Sequence, residues 1–392
     1  MSSQSASRAY ALALSYASMM SLAIAVNLIP VFLTTLGTAL GGPEGLTKEQ
    51  LGRISATIFV GLVMGILVAG PLADRLGAKA FAVAGNLLIG AGLAVLGLAP
   101  DYAVVLAAVF IMGLGAGVLD LILSPIICAL QPDRRTSAMN RLHAFYAIGA
   151  VATILAALRP EVGWREVSLW IIVAPAAVGL GFLAVKVPPL VAQGRPAPVT
   201  RLCRQRYFIA ALAAIFLAGA SELGIAQWLP AYAQIGLGYT NWTGGMGLLA
   251  FSVAMAVGRV GVGMVGRRVA VIPMMRWSCL SAAGLLVVGC FAPWPAVALA
   301  ACVGVGLAVS CLWPSTLAVT GDRFPQGGAS MFGLLAAVGN FGGIFMPWVV
   351  GLTADFAAIH WGLATAALAP IAMAILLTWM RRQPAAARTL QG

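Results

Sequence analysis

The sequence predicts an all-α membrane protein with twelve transmembrane helices in two pseudo-symmetric six-helix bundles. Of its 392 residues, 61% are hydrophobic and only 9% are charged, whereas soluble globular domains carry roughly 25% charged residues. A soluble chain of this size has no means of hiding so much apolar surface, so its solvent must be lipid. The apolar residues form about twelve long segments, and a proline-rich basic stretch divides them into two sets of six.

The length of each apolar segment supports this architecture, because a bilayer core about 30 Å thick needs roughly 20 residues per helix. The predicted spans of the first set are residues 10–36, 51–69, 79–98, 103–129, 140–158 and 168–187. The predicted spans of the second set are residues 207–232, 243–265, 272–292, 295–319, 329–354 and 361–380.

The distribution of basic residues predicts the orientation. The net charge of +12 comes mostly from short loops on one side of the predicted membrane, which argues against a nucleic-acid partner. The opposite side holds only Lys48, Arg53, Arg159 and Arg165. The positive-inside rule therefore predicts a multi-pass protein of the inner membrane with both termini in the cytoplasm.

Residues 188–206 are the longest predicted cytoplasmic link, and they contain four prolines and several arginines. This composition is typical of a linker. We therefore expect an N-terminal bundle at residues 1–187, and a C-terminal bundle with a short basic tail at residues 207–392.

A weak internal repeat indicates that the two bundles are related. Phe59 recurs as Phe251, and Gly149 recurs as Gly339, at similar offsets along the chain. Such matches are expected of two bundles that share one topology.

The link between predicted helices 2 and 3 reads G-P-L-A-D-R-L-G-A-K. Gly70 and Pro71 are expected to end helix 2, and Gly77 is expected to permit a tight turn before helix 3. Asp74 and Arg75 place two opposite charges beside this turn. Taken alone, the segment is also consistent with an ordinary charged turn.

The same ten residues resemble the loop between helices 2 and 3 of the major facilitator superfamily of secondary transporters. The resemblance implies the major facilitator fold and a latch that holds one transport state. Its latch residues would be Gly70, Asp74, Arg75, Gly77 and Lys79. In the copy at residues 258–268, Gly266 stands where the acid would be, so the resemblance leaves Arg259 as a latch residue there.

Two acidic residues lie deep within predicted spans, Asp120 in helix 4 and Glu222 in helix 7. A charge in that position costs about 3 kcal/mol or more, so such residues face a cavity or pair internally. Because burial disfavours the ionised form, both are predicted to couple transport to protons. Asp120 shares a helical face with Gly113 and Gly117, which predicts close packing. Alternatives for Asp120 are substrate contact or a neutral hydrogen bond that serves packing.

Pro230 is expected to kink helix 7, which also carries Trp228 and Tyr232. A kinked helix with an acid, an indole and a phenol is typical of a substrate-facing gate, although the rings would also suit an interfacial belt. Buried amides suit hydroxylated, uncharged ligands, because each offers a donor and an acceptor. The predicted substrate-binding residues are Asn27, Gln227, Trp228, Tyr232, Trp313, Asn340 and His143. Alternatively, the amides form interhelical hydrogen bonds, and His143 is an ordinary residue of the cytoplasmic edge or a second proton site.

Absent features narrow the chemistry. No lysine or arginine lies near the middle of a predicted span, which disfavours strongly anionic substrates. The sequence has no Walker A motif, no cluster of metal ligands and no nucleophile–base arrangement. We therefore expect neither an enzyme, nor a metal, nor a cofactor, with the proton gradient as the energy source.

Three pieces are similar to the fucose permease group of sugar–proton symporters. They are G-x-G-x-G-x-x-D in helix 4, L-H-A-F-Y-A-I-G-A in helix 5 and E-x5-W-L-P-A-Y in helix 7. The resemblance implies a sugar or sugar-like substrate with Asp120 as the proton carrier, although helix 1 carries no acid, only Asn27. We therefore predict proton symport of a small neutral solute, with a sugar favoured, by alternating access in a monomer. The alternatives are a proton-coupled exporter of drugs or lipophilic cations, or a non-transporting membrane receptor.

Overall fold

The computed structural model describes residues 3–131, 135–159, 162–187, 199–265, 270–324 and 328–383. Within these residues, 11 helices are long and apolar enough to cross a membrane. A shorter apolar helix, Phe145–Ala157, lies on the remaining predicted span. The predicted all-α membrane fold with twelve spans is confirmed.

The helices of the first half follow the predicted spans closely. They are α1 (Ser3–Leu40), α2 (Lys48–Leu76), α3 (Ala78–Gly97), α4 (Tyr102–Leu130), α5 (Arg135–Ala157), α6 (Trp164–Ile171) and α7 (Val173–Leu183). A single 3₁₀ turn, Gly42–Glu44, lies between α1 and α2.

The second half contains more helices than spans, because several spans are divided. The helices are α8 (Val199–Leu202), α9 (Arg206–Ala226), α10 (Leu229–Ile235), α11 (Asn241–Val265), α12 (Val271–Phe291), α13 (Pro295–Val309), α14 (Leu312–Arg323), α15 (Gly328–Phe356), α16 (Ile359–Ala364) and α17 (Leu368–Arg382). A 3₁₀ turn, Thr365–Ala367, joins α16 to α17.

Prolines explain where the spans divide. A proline has no N–H to bond the carbonyl four residues earlier, so that carbonyl marks a weak point in the helix. In four spans the break falls at or beside that carbonyl, and the prolines responsible are Pro175, Pro230, Pro314 and Pro370. The kink predicted from Pro230 is confirmed as the break between α9 and α10.

Helix starts and ends in the first half are fixed by side chains. Thr47 caps α2 through a reciprocal capping box with Gln50, and Asp101 accepts a 2.9 Å hydrogen bond from the Val104 N–H at the start of α4. These caps satisfy N–H groups that have no partner in the helix. Basic side chains donate hydrogen bonds to carbonyls at or just beyond the C-terminal ends of three helices. The donor and acceptor residues are Arg8 to Leu130, Lys79 to Leu183 and Arg165 to Ala99.

The end of α2 corrects one prediction. Gly70 and Pro71 do not end the helix, which continues to Leu76, because a proline removes one hydrogen bond without preventing the following turns. Gly77 ends it with φ of 83°, a backbone conformation that glycine adopts at little cost. The predicted tight turn is thus confirmed. The structure describes only the backbone at Gly70, Asp74 and Arg75, so the latch stays a prediction.

The chain packs as two compact units. Unit 1 comprises Met1–Ala192 together with Gln227–Leu249, and unit 2 comprises Gln193–Ala226 together with Ala250–Gly392. Unit 1 therefore includes a segment from the predicted C-terminal bundle. Residues 188–198 of the predicted linker lie outside the described residues, so the linker at residues 188–206 stays a prediction.

Glycines allow the closest helix contact in unit 1. A Cβ atom added to Gly113 would lie 2.0 Å from the Ile58 carbonyl oxygen of α2, and one added to Gly117 would lie 1.9 Å from that of Leu62. Contacts this short leave no space for a side chain, so α2 and α4 touch through their backbones. The close packing predicted for this face of helix 4 is confirmed.

Unit 2 contains a close contact between α11 and α13 that matches the contact between α2 and α4 in unit 1. A Cβ atom on Gly306 would lie 2.4 Å from the Phe251 carbonyl oxygen, and Phe251 is the repeat partner of Phe59. In unit 1 a Cβ atom on Gly149 would lie 2.7 Å from the Met20 Cα of α1. In unit 2 the repeat partner, Gly339, likewise adjoins α9. The weak sequence repeat therefore marks equivalent helix contacts in the two units.

A Gly117→Ala substitution should destabilise the protein by about 1–3 kcal/mol, the usual cost of overpacking. Gly284→Ala is the matched control, because no atom lies within 4 Å of its added Cβ, and helix propensity alone would make it neutral or slightly stabilising. Thermal unfolding of the purified protein in detergent measures both. Equal effects of the two substitutions would contradict the packing described for α2 and α4.

Candidate functional site

An ion pair between two membrane-spanning helices lies within unit 2. The Arg259 Nη2 of α11 donates to both carboxylate oxygens of Glu222 in α9, at 3.3 Å and 3.2 Å. Both residues fall inside apolar spans. The Glu222 side chain is 17% exposed and the Arg259 side chain is 38% exposed, so the glutamate is largely enclosed while part of the arginine side chain stays accessible.

The pair explains how a charge is tolerated at Glu222. Glu222 lies 16 residues after the start of α9, which is about 24 Å along the helix, and an acid there needs a partner. A guanidinium stays protonated in proteins, so Arg259 keeps its positive charge whatever the state of Glu222. Sequence analysis placed Arg259 only among the latch residues. Its partner is 37 positions away in the chain, and no local pattern joins the two.

Asp120 has a different environment in unit 1. It lies in α4 and is half-buried. Within the described part of the chain, its carboxylate has neither a hydrogen-bond nor an ion-pair partner. An unpaired carboxyl group in a membrane span is more stable neutral than charged, which suits it to holding a proton. The predicted role in proton coupling stays a prediction.

Asn27 of α1 joins two helices of unit 1. Its Nδ2 donates to the Ala23 carbonyl oxygen at 2.9 Å and to the Tyr146 hydroxyl of α5 at 3.3 Å. The side chain is only 8% exposed. Sequence analysis included Tyr146 in a helix-5 motif without assigning it a role. In the structure its hydroxyl accepts the hydrogen bond that joins α5 to α1.

Gln227 contacts the backbone of α1 at Val26, the residue that precedes Asn27. Its Nε2 donates to the Val26 carbonyl oxygen at 3.4 Å. That carbonyl has no intrahelical donor, because the residue four positions later is Pro30. A proline in helix 1 therefore creates the acceptor to which the glutamine binds. Gln227 follows the last residue of α9, and the break caused by Pro230 allows it to reach α1.

Trp228 and Tyr232 are fully buried in unit 1, at 0% and 1% exposure. Burial of this degree contradicts the alternative that these rings form an interfacial aromatic belt, since belt residues face lipid headgroups. Both residues make further contacts within the protein. Their role in substrate binding stays a prediction.

Of the remaining predicted site residues, Trp313 packs against glycines and Asn340 forms a hydrogen bond. The Trp313 indole lies against Gly339 and Gly219, where an added Cβ would meet it at 2.4 Å and 3.2 Å, so the ring fills space that these glycines leave. Asn340 donates to its own helix through the Ala336 carbonyl oxygen at 3.0 Å. The side chain of His143 lies outside the described residues. In unit 2 the structure thus brings Trp313 next to the segment that holds Asn340.

A family model described as Major Facilitator Superfamily matches residues 12–326. The gentisate transporter of Corynebacterium glutamicum is 28% identical over 378 residues, which cover 88% of this chain and 82% of that protein. The 4-hydroxybenzoate transporter PcaK of Pseudomonas aeruginosa is 29% identical over 150 residues, 36% of this chain and 34% of that protein.

Solved structures share the architecture. The fucose:proton symporter of E. coli is 20% identical with a TM-score of 0.66, and the match covers 95% of this chain and 98% of that one. A bacterial homologue of the human lysosomal transporter Spinster is 14% identical with a TM-score of 0.79, covering 96% and 97%. At these identities the likeness shows the fold alone.

Replacing Glu222 by Gln should lower the free energy of unfolding by about 1 kcal/mol, between the values for surface and buried pairs, because Arg259 loses its counter-charge. The double variant Glu222→Gln/Arg259→Gln should recover part of that loss. Thermal unfolding in detergent gives the coupling between the two positions. Strictly additive effects would show that the pair contributes nothing to stability.

Proposed function

This chain belongs to the major facilitator superfamily, and on that basis we propose that it transports an aromatic carboxylate together with protons. The observation that carries the proposal is the Arg259–Glu222 pair, in which an arginine of one membrane span binds a glutamate of another. The names of the two curated relatives support it, since gentisate and 4-hydroxybenzoate are both hydroxylated benzoates.

A substrate carboxylate is chemically equivalent to the side chain that Arg259 already binds. Guanidinium groups bind carboxylates through parallel, charge-assisted hydrogen bonds. Because 38% of the Arg259 side chain is exposed, a second carboxylate can approach and replace Glu222. In this proposal Glu222 neutralises Arg259 when no substrate is bound.

The exchange also links substrate binding to protonation. When a substrate takes Arg259, Glu222 loses its counter-charge in a low-dielectric setting, where an uncompensated charge is unfavourable. One anion and one proton then enter the site together without change of net charge. Asp120, in unit 1, supplies a second carboxyl group able to hold a proton.

The predicted sugar substrate rested partly on the absence of a cation well inside a span. The Arg259–Glu222 contact removes that reason, because it holds a guanidinium against the deep carboxylate. The fucose symporter supports the fold and carries no information on this chain's substrate. A lipophilic cation is disfavoured as well, since Arg259 already neutralises Glu222. Proton symport, an inner-membrane location, cytoplasmic termini and a monomeric state complete the proposal.

Replacing Arg259 by Gln should reduce uptake of 4-hydroxybenzoate and gentisate by about tenfold or more, the value of one charge-assisted contact. Radiolabelled uptake into proteoliposomes under an inward proton gradient measures it, with protein-free liposomes correcting for passive entry of the acids. Arg259→Lys should retain partial activity, because the charge remains while the planar fork is lost.

Arg53→Gln is the matched control for that experiment. Arg53 pairs with Glu49 at 2.7 Å, but its side chain is 52% exposed and the pair lies within a single helix. Uptake should therefore be unchanged. Unchanged uptake by the Arg259→Gln variant, or uptake of sugars in place of the acids, would overturn the proposed function.

Asp120→Asn should abolish accumulation driven by a proton gradient and spare the exchange of labelled for unlabelled substrate across the membrane. The amide preserves the shape and polarity of the side chain but holds no titratable proton. Uptake with and without a pH gradient, beside counterflow in the same vesicles, separates the two activities. Loss of both would indicate a binding or structural role for Asp120.

A further inference from the structure

The amide of Gln227 is buried, but only its nitrogen has a hydrogen-bond partner among the described residues. The side chain is 2% exposed, and its Nε2 donates to the Val26 carbonyl oxygen. The Oε1 atom is buried and accepts no hydrogen bond from any described residue. An amide oxygen left in this condition costs about 1–3 kcal/mol, so the site retains an unused acceptor.

The orientation of this amide follows from its surroundings. The oxygen and nitrogen of a glutamine are distinguished by their partners. The Val26 carbonyl can only accept, and Pro30 leaves it without an intrahelical donor, so the NH₂ group must face it. The unpartnered end of Gln227 is therefore the oxygen, which needs a donor.

Asn27, which follows Val26 in α1, likewise directs its NH₂ group to the protein and leaves its oxygen without a donor. Its NH₂ group is used on the Ala23 carbonyl oxygen and the Tyr146 hydroxyl, which leaves Oδ1 as the end without a donor among the described residues. Two neighbouring amides of unit 1 thus direct their donors to the protein and keep acceptors for another group. Acceptors of this kind repel an anion and bind an O–H or N–H group.

We infer that Gln227 Oε1, assisted by Asn27, accepts a hydrogen bond from a hydroxyl group of the transported solute. The inference rests on the solute class named in the proposed function, and it adds that the preferred solutes carry a ring hydroxyl. Gln227 is then a residue that determines specificity, because a solute without a donor leaves its buried oxygen unpaired. An ordered water that remains in place during transport is the competing occupant.

The first test needs no variant. Binding of benzoate and its 3- and 4-substituted hydroxy, amino and methoxy derivatives to the purified protein is measured by calorimetry. The hydroxy and amino compounds donate a hydrogen bond, whereas the methoxy compounds only accept one. At one ring position, the donors should bind about tenfold more tightly than benzoate and the methoxy compound. Equal affinity for hydroxy and methoxy compounds would contradict the inference.

The second test uses Gln227→Leu, which removes the acceptor at similar size. The hydroxybenzoate-to-benzoate affinity ratio should fall to about one, while benzoate itself still binds. Gln234→Leu is the matched control from the same segment. The Gln234 amide is fully partnered, accepting from Thr34 at 2.8 Å and donating to Pro230 and Asn241, so its removal should leave the ratio unchanged.

The outcomes separate this inference from the proposed function. A wild-type protein that binds no benzoate derivative overturns both. A Gln227→Leu variant that keeps the full hydroxyl preference overturns the inference alone and leaves the water as the occupant. A loss of the preference in both glutamine variants would assign the effect to the fold of the segment and likewise overturn the role of Gln227.

Discussion

The lipid solvent is the constraint on which this structure depends, because it offers no hydrogen bonds to a polar group. Hydroxyl side chains in the spans satisfy the constraint locally, by donating to the carbonyl four residues earlier in their own helix. The residues that do so include Ser15, Thr153, Ser221, Thr316 and Thr320. Larger polar groups need partners on other helices. The Asn86 Nδ2 donates to the Ser18 hydroxyl of α1 at 2.8 Å, whereas its Oδ1 accepts no hydrogen bond from any described residue. A buried polar atom without such a partner is therefore a candidate contact for a bound solute or water.

Proline and glycine determine much of the remaining geometry. Pro230 divides one span, so that Gln227 reaches α1 instead of continuing α9. Pro30 frees the carbonyl that Gln227 binds without ending α1. Gly113 and Gly117 bring α4 against the backbone of α2. These contacts place the amides and carboxyl groups on which the proposed chemistry depends.

The elements that could be predicted from the sequence are those with local causes. Span positions follow from apolar length, the break at Pro230 from its missing N–H, and the turn at Gly77 from the freedom of glycine to adopt a positive φ. The family resemblance carried by residues 70–79 is confirmed by the match over residues 12–326. The end of helix 2 was misplaced because a proline near a helix end looks like a stop in sequence.

The partner of Glu222 could not be predicted, because the contact depends on how α9 packs near α11. Sequence analysis placed Arg259 among the latch residues and, with no cation near the middle of a predicted span, disfavoured strongly anionic substrates. In the proposed function the same arginine, paired with a carboxylate in a span, binds an anion. The proposed choice of an aromatic acid over a sugar thus depends largely on a single tertiary contact, whereas the fold and the membership of the superfamily do not.

The most direct test of the account is proton movement induced by solute in proteoliposomes with an entrapped pH dye, corrected against protein-free vesicles. Adding 4-hydroxybenzoate outside should acidify the interior faster than passive entry, while neutral sugars should have no effect. Protein-dependent proton movement with a sugar, and none with the aromatic acids, would contradict the claim that this transporter couples protons to an organic anion.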